Sequence, residues 1–172
     1  MGRGPVALRR SGVALLVTAM VTVAADQASK AAVRAYLPPS HSIPLIPGVL
    51  DLNYVRNSGA AFGLLEGQRL FFILTALAVL AGIAFVWFRY KPDAWYVVPA
   101  LGLVVGGALG NLADRVLVGR VTDFLYLHFW PVFNLADSAI VVGVTVLVFW
   151  LLFRHDDEDE EDPVPSGESG EA

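Results

Sequence analysis

Long apolar runs dominate the pattern of this chain, and they exceed the usual length of a strand in a soluble domain. Three of them are Leu70–Phe88, Ala94–Ala113 and Asn134–Phe153. The first two contain no charged residue, and the third contains only Asp137. A further run starts at Gly12 and continues, with polar residues near its end, towards Ala35. Because a helix needs about 20 mostly apolar residues to cross a hydrocarbon core, these four runs predict four transmembrane helices.

The connections between these runs carry weaker signals. Ile43–Tyr54 holds short apolar runs separated by prolines, which predict one or two small strands. Phe124–Phe133 is aromatic and apolar, so we expect it to lie in the membrane interface or to fold back to the same membrane face. Tryptophans fall near the predicted span ends, where amphipathic rings are favoured. They are Trp87, Trp95, Trp130 and Trp150.

The composition agrees with a membrane protein. Hydrophobic residues make up 56% of the chain and charged residues 16%, with a mean hydropathy of +0.61. A soluble domain has about 25% charged residues. The chain has no cysteine, which excludes disulfides and thiolate chemistry, and His41, His128 and His155 show no ligand spacing. We therefore expect no metal and no cofactor, and nothing in the composition indicates a nucleic-acid partner.

The net charge of −4 arises from the C-terminal segment, because residues 156–172 hold nine acids and no base. The remaining residues carry 12 bases and seven acids, about +5. We expect a leader over residues 1–11, a membrane domain over 12–153 and a disordered acidic tail over 154–172. The bases divide evenly between the two membrane sides, but Arg9 and Arg10 before the first span favour a cytoplasmic N-terminus and C-terminus. A cleaved secretory signal is the alternative, and the three later spans favour a retained helix.

Ionisable groups inside a membrane segment are costly unless they are paired or hydrated, so each needs a reason. Asp26 and Lys30 stand four residues apart on one helix face, where they would form an ion pair that positions its neighbours or simply neutralises itself near the interface. The sequence Asn57-Ser58-Gly59 is typical of a turn. It could merely join a strand to a helix, although its small residues would also let a substrate approach the backbone.

Two further polar clusters lie at the outer ends of the third and fourth spans. Gly106 and Gly110 would let another helix come close, but packing does not explain Asn111 and Asp114, which share a polar stripe followed by Arg115. The fourth cluster pairs one acid after the third span with the first turn of the fourth span. Its members are Asp123, Asn134, Asp137 and Ser138, and the last three share a helix face.

A turn between Asp123 and Asp137 can bring the two carboxyl groups together. Two carboxylates in a low-dielectric site tend to share one proton. The ionised group can take a proton from water while the protonated group donates to a scissile carbonyl, which is peptide hydrolysis without a covalent intermediate. A serine nucleophile is disfavoured, because neither Ser58 nor Ser138 has a motif that suggests a base, and Ser29 would share a helix turn with Lys30.

At these residues the chain resembles the lipoprotein signal peptidases, also called signal peptidase II. The resemblance runs from about Asp26 to Ile140 and rests on five motifs in order. They are Asp26-Gln-x-x-Lys30, Asn57-Ser-Gly-Ala-Ala-Phe62, Gly106-Gly-Ala-x-Gly-Asn111-x-x-Asp114-Arg115, Gly119-x-Val-x-Asp123-Phe124 and Phe133-Asn134-x-Ala136-Asp137-Ser138. Each motif alone is weak, whereas all five on a chain with four spans are specific.

The resemblance implies a four-transmembrane-helix bundle with a small extracytoplasmic β-sheet cradle, in a bacterial inner membrane. It implies an aspartic endopeptidase whose catalytic pair is Asp123 and Asp137. Substrate-binding or supporting positions are Asn57, Gly59, Asn111, Arg115, Asn134 and Ala136, with Asp26, Lys30 and Asp114 behind them. The implied substrate is a prolipoprotein cleaved just before a Cys that carries diacylglycerol, within membrane lipids, and the implied inhibitor is globomycin.

Two other classes of protein compete with this interpretation. A small proton-coupled transporter would place acids at mid-span and often shows an internal repeat, neither of which we find here. A non-catalytic membrane scaffold would use the glycine faces for partner helices, but gives no reason for two acids embedded in motifs. Which lipoproteins are cleaved, the oligomeric state and the purpose of the acidic tail do not follow from the sequence.

Overall fold

Helices and one small sheet make up the computed structural model, which describes residues 5–39, 41–59, 65–92 and 94–153. The helices in those ranges are α1 (Pro5–Tyr36), α2 (Arg69–Tyr90), α3 (Val97–Leu117) and α4 (Leu135–Phe153). The strands are β1 (Ser42–Ile46), β2 (Leu50–Asn57) and β3 (Val121–Leu127). The four helices are long and apolar enough to cross a membrane, which confirms the predicted four-helix membrane fold with its small sheet.

Two helices differ most from the sequence prediction in their bounds. Helix α1 begins at Pro5, before the predicted start at Gly12, and α3 differs at both ends. The predicted span runs from Ala94 to Ala113, whereas the helix begins at Val97 and ends at Leu117. Asp114 does not end the helix, because its side chain is 1% exposed and is paired inside the protein. The helix ends instead where the backbone N–H of Gly119, at φ +85°, bonds to the carbonyl of Asp114.

Helix α3 lies between α1 and α4 and approaches both closely through glycines. A Cβ atom added at Gly106 would lie 2.7 Å from the carbonyl oxygen of Ala19 in α1. One added at Gly107 would lie 2.5 Å from the carbonyl oxygen of Ala136 in α4. Gly110 faces α1 as well, which confirms the small-residue face predicted at Gly106 and Gly110. These contacts bring the backbones of the three helices near enough for polar side chains to meet between them.

Helix α2 lies on the outside of this bundle. None of its residues is buried, and its main helix neighbour is α3. Its large apolar side chains, including Leu74 and Phe85, are more than half exposed within the protein. In a bilayer this surface faces lipid, so α2 contributes a span but little of the interior.

The sheet is antiparallel in the order β1-β2-β3. The β1–β2 hairpin turns at Gly48, which has φ +76°, and it confirms the small strands predicted over Ile43–Tyr54. The third strand differs from the prediction, which left Asp123 in a connection between spans. Val121–Leu127 becomes a strand because it pairs with β2, and this long-range contact cannot be predicted from the local sequence.

The segment after β3 returns to the strand that it leaves. The N–H of Phe133 donates to the carbonyl of Leu125 at 2.9 Å, so the aromatic segment folds back as expected. The inner side of the sheet packs on the end of α1, where Val33 and Leu37 meet Tyr54 and Phe124. The sheet is thereby held against the end of the bundle, with the start of α4 beside β3.

Candidate active site

Both predicted acids line one cavity of about 230 Å³ at the sheet end of the bundle. Strand β3 supplies Asp123 and the first turn of α4 supplies Asp137. Asn57, Gly59, Asn111 and Arg115 line the same cavity, and its apolar wall is made by Val121, Val141 and the segment from Trp130 to Phe133. The structure therefore brings together residues from four of the five sequence motifs in one enclosed space.

Asp123 is held by two asparagine side chains. Asn57 donates to one carboxylate oxygen at 2.8 Å, and Asn134 donates to the other at 2.6 Å. The backbone N–H of Gly59 donates to the side-chain oxygen Oδ1 of Asn57 at 2.8 Å, so the NH₂ group of the same amide faces Asp123. Gly59 thus sets the direction of an amide that points into the cavity.

Burial raises the pKa of Asp123, the nearby charge of Asp137 adds to this effect, and the resulting pKa is about 6. The hydrogen bonds from Asn57 and Asn134 act in the opposite direction, because they favour the ionised form. The Asp123 carboxyl group can consequently exchange a proton near neutral pH, which an ordinary surface aspartate does not do.

Asp137 is fixed by the way α4 begins. The side-chain oxygen Oδ1 of Asn134 accepts from the backbone N–H of Asp137 at 3.0 Å, and the Asp137 carboxylate accepts from the backbone N–H of Asn134 at 3.2 Å. This reciprocal pair is a capping box, with Asn134 as N-cap and Asp137 three residues later. The Asn111 NH₂ group donates to the other Asp137 oxygen at 2.8 Å.

Asn134 therefore connects the two acids. It is fully buried, donates to Asp123, caps the helix that carries Asp137, and lies 3.2 Å from the Asn111 carbonyl oxygen. Ser138 takes no part in the cavity lining, since its hydroxyl donates to the carbonyl of Asn134 within the helix.

A buried ion cluster lies behind the asparagines. The Lys30 ammonium donates to the Asn111 carbonyl oxygen at 2.9 Å, and it pairs with Asp26 at 2.8 Å and Asp114 at 3.4 Å. Lys30 and Asp26 are both fully buried, so this pair is part of the protein interior and not a solvated pair at the interface. The cluster does not line the cavity; it holds the Asn111 amide that contacts Asp137.

The cluster also joins the first and last helices. Asp26 accepts from the N–H of Ala136 at 3.0 Å, and Ala136 itself is completely buried. Ala136 is not one of the residues that line the cavity, and its backbone N–H and small side chain instead let α4 pack closely on α1 and α3. Among the described residues, every buried side-chain nitrogen and oxygen has a hydrogen-bond partner.

Arg115 is the cationic side chain of the cavity lining. Its guanidinium group lies 4.7 Å from the ring centre of Phe72 in α2 and is partly buried. It faces the same cavity as the two acids, so it contributes positive charge close to them without a direct ion pair among the described residues.

Three residues near the site were not among those predicted to bind substrate or support the acids, although Gln27 stands in the first motif. Gln27 donates to Asp26 and to the carbonyl of Gly110, at 3.0 and 3.1 Å. Arg34 donates to the Thr122 hydroxyl at 3.0 Å, and the Thr122 N–H donates to Asp114 at 3.0 Å. The spacing of Arg34, four residues after Lys30 on one helix face, was a signal that could have found it.

The fold and this site define a membrane protein whose buried carboxyl pair lies at one end of a four-helix bundle. Residues 18–153 match the family model of signal peptidase (SPase) II, so the chain belongs to the signal peptidase II family. Membership of this family implies a protease that acts on lipoprotein precursors in membranes.

Curated relatives and solved structures agree with this membership. The chain is 43% identical to the lipoprotein signal peptidase of Pelotomaculum thermopropionicum, over 86% of this chain and 96% of the relative. It is 43% identical to that of Moorella thermoacetica, over 90% of this chain and 96% of the relative. A solved structure of a bacterial membrane enzyme superposes with a TM-score of 0.80 at 30% identity, covering 87% of this chain and 93% of that one.

Proposed function

We propose that this chain is an aspartic endopeptidase that removes the signal peptide of prolipoproteins, with Asp123 and Asp137 as its catalytic pair. The observation that carries the proposal is that both carboxyl groups line one small, largely enclosed cavity. Each is oriented by an asparagine amide, and Asn134 contacts both. A carboxyl pair arranged in this way is suited to hold one proton between its members.

The proposed reaction uses the two acids in opposite protonation states. The ionised carboxylate takes a proton from a water molecule as the water oxygen attacks the scissile carbonyl. The protonated carboxyl donates its proton to the carbonyl oxygen, which gives a tetrahedral diol. Collapse of the diol breaks the C–N bond, and a proton passes to the amine. The exchanged proton belongs to the pair, so the acid and base roles are not assigned to individual residues.

The surrounding residues have positioning roles in this proposal. Asn57, Asn111 and Asn134 hold the carboxyl groups in place and leave them able to change protonation state. Arg115 lies where it would balance the negative charge of the pair. The cluster of Asp26, Lys30 and Asp114 supports Asn111 from behind.

The substrate that we propose is a prolipoprotein whose Cys already carries diacylglycerol, cleaved on the N-terminal side of that Cys. The cavity suits such a substrate because one wall is apolar, from Trp130 to Phe133, and the other carries the polar groups. Globomycin would act by filling the same cavity. Cleavage within the interfacial region of the membrane would let the acyl chains stay in lipid.

The orientation is part of the proposal. With the N-terminus and C-terminus in the cytoplasm, the sheet and the two acids lie at the extracytoplasmic face of a bacterial inner membrane. The peptidase domain then covers residues 12–153. Most of the leader over residues 1–11 and all of the tail over residues 154–172 lie outside the side chains that the structure describes.

The test is a gel-shift assay of a diacylglyceryl-modified prolipoprotein with purified protein. Asp123→Asn and Asp137→Asn should each lower the cleavage rate by about 100- to 10,000-fold, because each removes a group that transfers a proton. Both variants keep a side chain of similar size, so they are expected to fold. Thermal unfolding checks this directly.

Asp51→Asn is the matched control. Asp51 lies in the same sheet but bonds to Ser42 and His128 outside the cavity, so this variant should cleave like the wild type. Wild-type cleavage by either Asp123→Asn or Asp137→Asn would show that the catalytic pair is assigned wrongly. Proton flux through the wild-type chain in liposomes, without any cleavage, would favour a transporter.

A further inference from the structure

Strands β2 and β3 divide their side chains between two sides of the sheet. Arg56 pairs with Thr122 across the strands, and the next pair is Asn57 with Val121. Because successive side chains of a strand point to opposite faces, Asn57 and Asp123 share one face while Arg56 and Thr122 share the other. The first face is the one that lines the cavity of the acids.

The opposite face lines a second cavity, of about 410 Å³. Its walls are Arg34, Tyr54, Arg56, Val118, Arg120 and Thr122. Its volume falls within the range of about 300–1,000 Å³ that is common for small-molecule sites. We call these residues the arginine pocket.

Charge in the arginine pocket is not balanced within the described residues. Asp114 contacts two of the lining residues, Arg34 and Thr122, and its charge is already matched by Lys30 at 3.4 Å and by Arg34 at 3.5 Å. Arg56 donates only to the Tyr54 hydroxyl, at 2.9 Å, and Arg120 has no ion-pair partner in the described ranges. Two exposed guanidinium groups therefore face the cavity with uncompensated positive charge.

The position of the arginine pocket indicates the anion that it would bind. It lies where α1 and α3 end, between Arg34 and Val118. In a bundle that spans a bilayer, the helix ends reach the edge of the hydrocarbon core. Lipid phosphate groups occupy this level of a bilayer, and basic pockets at helix ends recognise them. Guanidinium groups suit phosphate because they can donate two parallel hydrogen bonds to its oxygens.

We propose that the arginine pocket binds the phosphate group of an anionic phospholipid from the surrounding bilayer, and that this anchors β2 and β3 at headgroup level. The anchored strands are the ones that carry Asn57 and Asp123 on their other face. The proposal goes beyond peptide cleavage and does not depend on which residues are catalytic.

The test measures lipid retained by the full-length protein in nanodiscs of phosphatidylcholine with a minor fraction of phosphatidylglycerol. The readout is native mass spectrometry of the released protein. Wild type should retain phosphatidylglycerol in preference to phosphatidylcholine. Arg56→Gln and Arg120→Gln should each lower this retention about five-fold, and the double variant should lower it further. Both residues are exposed, so the variants are expected to fold, and thermal unfolding verifies it.

Arg89→Gln is the control, because Arg89 lies at the far end of α2 and outside the arginine pocket. Equal retention by the double variant and the wild type would overturn the proposal, as would an equal loss in Arg89→Gln. A second arm adds inorganic phosphate to the nanodiscs. Displacement of phosphatidylglycerol from wild type by inorganic phosphate at physiological concentration would assign the pocket to a free anion and refute the lipid source.

A third arm distinguishes lipid from an acidic peptide segment. Cleavage is compared for two prolipoproteins that differ only in acidic residues after the Cys. The KM of the double variant is compared with that of the wild type for each substrate. If the double variant has a higher KM for the acidic substrate alone and retains lipid like the wild type, the pocket binds peptide carboxylates and the proposal is refuted.

Discussion

Helices α2 and α3 are nearly the same length, yet they occupy opposite situations in the molecule. The most apolar 18-residue stretch of α2 has a mean hydropathy of 2.6, against 1.5 for that of α3, and none of its residues is buried. In α3, 67% of the residues in the corresponding stretch are buried, and the helix carries Asn111 and Asp114, two polar residues at the site. The most apolar helix is thus the most peripheral one, which reverses the rule for a soluble protein.

The reversal follows from the solvent. Lipid tails are as apolar as leucine side chains, so burying leucine between helices gains little in a membrane. Helix α3 is instead held by close backbone approach at Gly106 and Gly107 and by the buried bonds of Asn111 and Asp114. Helix α2 meets α3 near its own start, where Arg69 donates to the carbonyl of Val116 and Phe72 packs against the Arg115 guanidinium group.

The largest expected effect comes from breaking the buried ion cluster. Lys30→Met removes the cation that Asp26 and Asp114 share, and it leaves two buried carboxylates without their main partner. Loss of one member of a buried pair costs about 3–5 kcal/mol. For a protein of this size, the thermal unfolding midpoint in detergent should fall by about 6–20 °C.

Lys91→Met at the end of α2 is the control for that experiment. Lys91 is exposed and has no ion-pair partner among the described residues, so its replacement should leave the midpoint nearly unchanged. If the two variants unfold at the same temperature, the ion cluster does not hold α3 in the bundle.

A smaller effect is expected from one added methyl group. Gly107→Ala places a Cβ atom 2.5 Å from the Ala136 carbonyl oxygen, so α3 and α4 must separate. We expect a destabilisation of about 1–3 kcal/mol, measured by thermal unfolding. Gly82→Ala on α2 meets nothing within 4 Å and should be neutral or slightly stabilising. Equal destabilisation by the two changes would contradict the packing difference between the helices.

The smallest effect concerns the pH dependence of cleavage. Asn57→Ala removes a hydrogen bond that favours ionised Asp123, so the pKa of Asp123 should rise above its present value of about 6. The limb of the pH–rate profile that reports Asp123 should then move to higher pH. This direction is the same whether Asp123 acts in its ionised or its protonated form.

Asn53→Ala, on the same strand but outside the cavity lining, should leave the profile in place. A shift of the Asn57→Ala profile to lower pH would refute the assignment of that limb to Asp123. An unchanged profile would show that the Asn57 amide does not control the protonation of the pair.

Much of the fold could be predicted from the sequence, because membrane spans and turns leave local signals. Long, mostly apolar runs predicted all four helices, and short apolar runs separated by prolines predicted the strands of the β1–β2 hairpin. The end of α3 and the strand β3 could not be predicted in this way. Asp114 stays helical because Lys30 neutralises it from another helix, and Val121–Leu127 becomes a strand because β2 pairs with it.

The candidate site likewise contains residues that could be predicted from local sequence and residues that could not. Motif spacing pointed to the two acids and to the asparagines that the structure gathers around one cavity. Their catalytic and supporting roles stay predictions until the variants are measured. Thr122 was overlooked because its importance depends on a contact between α1 and β3, which are far apart in the sequence, whereas the spacing of Arg34 from Lys30 was a usable signal. The capping box at Asn134 and Asp137 was readable, since it needs only residues four positions apart or fewer.

The hydrogen bond from the Ala136 N–H to Asp26 has a consequence for how the protein is made. Its donor and acceptor lie 110 residues apart, one at the start of α4 and the other in α1, which is synthesised earlier. Asp123 and Asp137 therefore come together only after α4 has been synthesised and has packed against α1. Under the proposed function, a chain truncated before α4 would not cleave its substrate.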